Sequence, residues 1–138
     1  MNIKLKIQSL SLISLVISGM FLFSSCKDDK SDSTSDTSKP VITVAEPIAN
    51  ATITDELHME YTVTDNIELA STKILVLGPS QTELYTNTKT LNGLKVFAFH
   101  EHFVPTVTSH TDAEVIITAK DKAGNESSIT IPVSIHPK

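Results

Sequence analysis

The chain has 138 residues, of which 11 are basic and 16 acidic, and its formal net charge is −5 at neutral pH. It contains no arginine, the residue that most often recognises phosphate and guanine, and an acidic surface repels nucleic acid. We therefore expect no nucleic-acid partner. The length allows one domain of ordinary size, and the single cysteine excludes an intrachain disulfide.

The first 25 residues have the organisation of an export signal peptide. Lys4 and Lys6 provide the positive start, and residues 10–23 are apolar apart from serines and one glycine. At 1.5 Å per residue this apolar stretch spans about 21 Å, which is less than the roughly 30 Å of a bilayer core. A removable signal over residues 1–25 is therefore favoured over a permanent transmembrane helix.

Cys26 follows the sequence Leu-Phe-Ser-Ser, which resembles a bacterial lipobox. The resemblance implies that Cys26 is lipidated, becomes the mature N-terminus and anchors the protein to a membrane. Residues 26–39 are rich in serine and aspartate and predict a disordered tether. The start of this tether, Lys27-Asp28-Asp29, is similar to the export signal of Bacteroidetes surface lipoproteins. That similarity implies display on the cell surface from the outer membrane, and a periplasm-facing position is the alternative.

Residues 40–138 are expected to form a single all-β domain. Short runs rich in Val, Ile, Thr and aromatic residues are separated by Asn, Asp, Gly and Pro. They predict strands at residues 41–45, 57–64, 72–77, 83–88, 94–104, 113–120 and 127–136. About seven short strands in a domain of roughly a hundred residues are typical of an immunoglobulin-like antiparallel β-sandwich. In the second strand, the odd-numbered apolar residues from Leu57 to Val63 share one face and are expected in the core.

Two loops resemble those of a known class of extracellular module. Asp65-Asn66 and Asp121-Lys-Ala-Gly-Asn125 are similar to the Asp-Asn and Asp-x-Ala-Gly-Asn loops of bacterial Ig-like domains. The chain thereby resembles an uncharacterised family of Bacteroidetes surface lipoproteins with a single domain of this type, some of which carry histidine-rich segments. The resemblance covers residues 40–138, and it implies a module that binds or spaces other molecules rather than one that catalyses a reaction.

Histidines form the sharpest candidate for a chemical site. His100 and His102 have the opposite parity to the phenylalanines of their strand, so they are expected on its solvent face. In immunoglobulin topology the second strand is the antiparallel neighbour, which would place His58 on the same face, flanked by Glu56 and Glu60. Neutral imidazole suits Zn²⁺, Cu²⁺ or Ni²⁺. Ordinary surface histidines are the alternative interpretation.

The two loops suggest a second kind of site. Asp65 and Asn66 in one loop, and Asp121, Asn125 and Glu126 in the other, are expected at the same end of the sandwich. Their side-chain oxygens and nearby carbonyls could bind Ca²⁺, which takes six to eight oxygen ligands. The same residue types also form Asx-turns without any ion, so local turn chemistry is the alternative.

The sequence contains neither a nucleophile-elbow pattern nor a phosphate-binding glycine loop, so we expect no enzyme and no certain cofactor. The leading hypothesis is a membrane-anchored, surface-displayed, non-catalytic module that binds an extracellular protein or glycan. One alternative is a metal-binding lipoprotein that uses the histidine face. Another is a structural envelope spacer or assembly subunit. His110 and His136 gain no support from their spacing.

Overall fold

The computed structural model describes residues 36–138, which form two packed β-sheets. The strands are β1 (Val41–Glu46), β2 (Ala51–Ile53), β3 (Leu57–Thr64), β4 (Leu69–Leu77), β5 (Glu83–Thr90), β6 (Val96–Phe103), β7 (Thr111–Asp121) and β8 (Glu126–Ile135). The three-stranded sheet has the order β1-β3-β6, and the five-stranded sheet has the order β2-β8-β7-β4-β5. This architecture confirms the predicted immunoglobulin-like β-sandwich.

Three predictions lie outside the described residues: the signal peptide over residues 1–25, the lipidation of Cys26, and the tether up to residue 35. The last four residues of the predicted tether are described. Among them, the backbone carbonyl of Asp36 accepts a hydrogen bond of 2.9 Å from the side-chain amide of Asn125. Within residues 36–138, no helix has the length and hydropathy needed to cross a membrane.

All seven predicted strands overlap an observed strand, but the described part of the chain has an eighth, β2. It was missed because it has only three residues, too few to show alternation. It also pairs in parallel with β8, whereas the prediction had an antiparallel sandwich throughout. Strand β4 begins at Leu69, three residues earlier than predicted, because the preceding turn ends at Glu68 and Leu69 is fully buried.

Side chains that alternate along β3 build one wall of the core. Leu57, Met59 and Tyr61 are 0–1% exposed, as predicted for the odd-numbered residues, while His58 and Glu60 are exposed. The facing wall comes from the central strands of the five-stranded sheet, where Ile117 is fully buried. Because period-two alternation places every second residue of β3 on the outer side, the core and the exposed histidine face are set by the same pattern.

One hydrogen-bonded pair crosses the core between the sheets. The hydroxyl of Thr72 donates to the carbonyl oxygen of Thr118 at 3.0 Å, so its oxygen accepts from the hydroxyl of Tyr61 at 3.1 Å. The Tyr61 ring also stacks on Phe99 with 4.8 Å between ring centroids. The pair satisfies two buried hydroxyls and fixes how β3 faces β4.

A second tyrosine closes the side of the sandwich where β5 and β6 are the edge strands. The ring of Tyr85 lies 5.0 Å from that of Phe103, and its hydroxyl is grouped with Asn87 and Glu101. Burial, together with the nearby Glu101 carboxylate, raises the pKa of Tyr85 to about 12 against the opposing hydrogen bond from Asn87. Burial likewise raises the pKa of Tyr61.

An alkaline titration should therefore show both tyrosines of the folded protein ionising above pH 10, the value for an unfolded chain, with Tyr85 near pH 12. Because the folded state keeps phenol protons that the unfolded state loses, stability is expected to fall as pH rises from about 10 to about 12. Tyrosinate absorbance of the wild type and of Tyr85→Phe measures this directly. A tyrosine of the folded wild type that ionises near pH 10 would contradict the packing of this edge.

Candidate metal sites

The solvent face of the three-stranded sheet brings the predicted histidines together. Strands β3 and β6 pair antiparallel, with His58 directly opposite His102 and Glu60 directly opposite His100. His100 and His102 are exposed because the inward parity of β6 is taken by phenylalanines. His58 is exposed because the odd-numbered residues of β3 face the core. The face is thus lined by imidazoles and carboxylates from adjacent strands.

Three of these side chains converge and are named here the His–Glu cluster: Glu56, His58 and His102. The Oε1 atom of Glu56 lies 3.0 Å from Nε2 of His58 and 3.2 Å from Nδ1 of His102. One ligand atom from each residue lies within 4.8 Å of the other two, and the two imidazole ring centroids are 4.2 Å apart. Two imidazole nitrogens and a carboxylate oxygen are a ligand set that Zn²⁺, Cu²⁺ and Ni²⁺ accept.

His100 contacts the cluster through His102. The Nε2 atoms of the two rings are 3.0 Å apart, so one must donate and the other accept. When His102 donates from Nε2, its Nδ1 lone pair points toward Glu56 and is free to bind a metal. Glu60 lies opposite His100 in the register and outside the group of three converging ligand atoms.

Glu46 is a residue that the sequence did not identify. A β-bulge in β1, between Val44 and Glu46, places Glu46 opposite Glu60 instead of facing the core. Its Oε2 atom lies 3.6 Å from Nδ1 of His58, the ring nitrogen that does not face Glu56. A carboxylate at the second nitrogen of a ligating histidine fixes the tautomer and the orientation of the ring.

A cavity of about 250 Å³ adjoins the His–Glu cluster. Its lining includes Glu46, Glu56 and His58 together with the apolar residues Pro47 and Ile53. A flat sheet face offers few groups that could orient metal ligands. The bulge and this cavity give the site a shaped wall, which a flat face would lack.

Carboxylates from three segments meet at one end of the sandwich: Asp36, Asp65 and Asp121, named here the Asp cluster. One oxygen of each lies within 4.8 Å of the other two. The two loop aspartates predicted for calcium are thus brought together, and a third comes from the segment that precedes β1. Of the other predicted loop residues, Glu126 forms an ion pair with Lys120, at 3.2 Å.

Turn chemistry explains part of this arrangement. Oδ1 of Asp65 accepts the amides of Ile67 and Glu68, at 2.9 and 2.8 Å. The carboxylate of Asp121 accepts the backbone and side-chain amides of Asn125, at 2.7 and 2.6 Å. Burial raises the pKa of Asp121, but these bonds and those from nearby loop amides outweigh it, so the pKa lies below its usual value. Both loops are therefore Asx-type turns, and this local role is independent of any bound ion.

A further group on the five-stranded sheet had no signal in the sequence. The rings of His110 and His136 stack with 4.7 Å between centroids, and Nε2 of His110 lies 2.6 Å from Oγ of Ser134 and 3.2 Å from Oδ1 of Asp112. These residues meet because Asp112 and Ser134 are partners in the β7–β8 register. Only that register could have revealed the group.

No family model matches the chain, and no curated protein matches it in sequence. Among solved structures, the chain is similar to one described as a Clostridium thermocellum CbhA fibronectin(III)-like module. The identity is 11%, the match covers 69% of this chain and 94% of that one, and the TM-score is 0.39.

Proposed function

We propose that this chain is a non-catalytic binding module whose ligand is a divalent transition metal, held by the His–Glu cluster. The observation that carries the proposal is the convergence of one carboxylate oxygen and two imidazole nitrogens within 4.8 Å. The alternative of ordinary surface histidines does not require such convergence, since imidazoles on a solvated face can point apart.

The geometry also supports a transition metal over a harder ion. Imidazole nitrogen favours Zn²⁺, Cu²⁺ and Ni²⁺, whereas Ca²⁺ and Mg²⁺ take oxygen ligands. His58 and His102 each have a group at the second ring nitrogen, Glu46 and His100 respectively. A carboxylate such as Glu46 is a typical partner for the second nitrogen of a ligating histidine.

Three protein ligands leave at least one coordination position for water or for an external donor. The side chains of His58 and His102 are 45% and 42% exposed, so that position is accessible from solvent. An exposed metal of this kind suits a module that captures metal or that binds an extracellular protein or glycan through it.

We further propose that lipid on Cys26 anchors this module to the outer membrane, with the domain at the cell surface. The support is the lipobox-like sequence before Cys26 and the similarity of Lys27-Asp28-Asp29 to a surface-export signal. Labelling of intact cells with an impermeant reagent would test the orientation. Labelling only after the outer membrane is permeabilised would instead indicate a periplasm-facing protein.

Calorimetric titration of the purified protein with Zn²⁺, Cu²⁺ and Ni²⁺ tests the metal proposal. We expect micromolar or tighter binding of at least one metal, and its loss in the triple variant Glu56→Gln, His58→Ala, His102→Ala. The matched control is His110→Ala, His136→Ala, which removes two exposed histidines from the other sheet. Binding that survives the triple variant, or that disappears in the control, would refute this assignment.

A further inference from the structure

The Asp cluster has an electrostatic imbalance that turn chemistry does not relieve. Three carboxylates lie within 4.8 Å of one another, a distance at which like charges repel. Within residues 36–138, the lysine ion pairs are made with other acids: Glu68, Glu126 and Asp55. Among the described residues, no lysine ion pair therefore balances the negative charges that the cluster brings together.

One oxygen of the cluster is also buried without a partner. Oδ1 of Asp65 accepts two backbone amides, but Oδ2 has less than 1 Å² of accessible area and no hydrogen bond to any described residue. Buried carboxylate oxygens are almost always bonded, because leaving one unbonded forfeits its hydration. A carboxylate with an orphaned oxygen, in a group of three converging carboxylates, is an arrangement that a bound cation would satisfy.

We propose that the Asp cluster binds Ca²⁺ through the carboxylates of Asp36, Asp65 and Asp121. All the offered ligand atoms are carboxylate oxygens, which suit hard cations such as Ca²⁺. Softer metals prefer imidazole or thiolate ligands. Three carboxylates, some of them bidentate, with nearby carbonyls and water, can supply the six to eight oxygens that Ca²⁺ requires. This site is separate from the His–Glu cluster and does not depend on it.

The location of Asp36 gives the ion a structural role. Asn125 donates its side-chain amide to the carbonyl oxygen of Asp36, and Asn66 donates to its Oδ1 atom at 3.4 Å. The segment before β1 is thus already held against both loops at this end of the sandwich. Calcium would tie that segment, the β3–β4 loop and the β7–β8 loop together, and would fix where the chain enters the domain.

Thermal unfolding and calorimetry of the purified protein with Ca²⁺ test this site. We expect Ca²⁺ to bind with a Kd of about 10⁻³ M or tighter, as in extracellular modules, and to raise Tm as its concentration passes Kd. Asp36→Asn should weaken Ca²⁺ binding at least about tenfold, since charged ligands set the affinity. Asp65→Asn should do the same. Asp112→Asn, which changes an exposed acid near the opposite end of β7 from Asp121, is the control and should bind like the wild type.

Asp36 precedes the first strand, so its variant is expected to fold even if Asp65→Asn does not. Wild-type affinity for Ca²⁺ in Asp36→Asn would overturn the proposal. So would the absence of a Tm increase in the wild type at millimolar Ca²⁺. Retention of Ca²⁺ binding in the triple variant of the His–Glu cluster would confirm that the two sites are independent.

Discussion

His102→Ala is expected to weaken transition-metal binding by more than about 100-fold. Loss of a residue that only supports a metal ligand already costs about 10–100-fold in affinity, and loss of a ligand should cost more. His102 supplies Nδ1, one of the three converging ligand atoms, and it also contacts His100. His100→Ala leaves those three atoms in place, so it is expected to weaken metal binding by no more than about 100-fold. Calorimetric titration of both variants with Zn²⁺ measures the difference.

The order of these two effects is the informative result, since both residues are exposed histidines on one face of one strand. A site formed by any nearby imidazoles would lose affinity equally in either variant. Equal losses, or a larger loss in His100→Ala, would contradict the geometry described here. Circular dichroism of both variants provides the check that the sheet is intact.

Ile117→Ala is expected to destabilise the domain by about 2–5 kcal/mol, the range for removing a buried isoleucine side chain and leaving a cavity. Ile117 is fully buried in β7, where it pairs with Ile74 of β4 and Ile129 of β8. Domains of this size have a total stability of about 5–15 kcal/mol, so the loss is a large fraction of it. Urea denaturation of both proteins gives the free energies of unfolding.

The matched control is Ile67→Ala, which truncates the same side chain where it is 51% exposed. Surface substitutions of this kind change stability by within about 0.5 kcal/mol. If Ile67→Ala lowered the free energy of unfolding as much as Ile117→Ala, the assignment of Ile117 to the core and of Ile67 to the surface would be wrong.

The histidine face was predictable because two simple rules combine there. Period-two alternation assigned Phe97 and Phe99 inward and His100 outward, and immunoglobulin topology supplied the antiparallel neighbour. Alternation alone does not set how far one strand slides along the other. That the register places His58 opposite His102, and not opposite His100, had to come from the structure.

Other features depended on events that break local rules. Glu46 reaches His58 because a β-bulge reverses the parity of β1. No residue of that strand predicts the bulge. Asp36 lies far from Asp121 in sequence and in a stretch whose composition predicts a tether. His110 and His136 meet through the pairing of β7 with β8. Each of these features depends on contacts between segments that are distant in sequence, which local composition does not predict.

The most direct test of the metal centre is an anomalous diffraction measurement on crystals of the Zn²⁺-loaded protein, recorded at the zinc absorption edge. We expect an anomalous peak about 2.0–2.2 Å from Oε1 of Glu56 and from one nitrogen of each of His58 and His102. A strongest peak beside His110 and His136, or no ordered peak on the three-stranded sheet at saturating Zn²⁺, would contradict it.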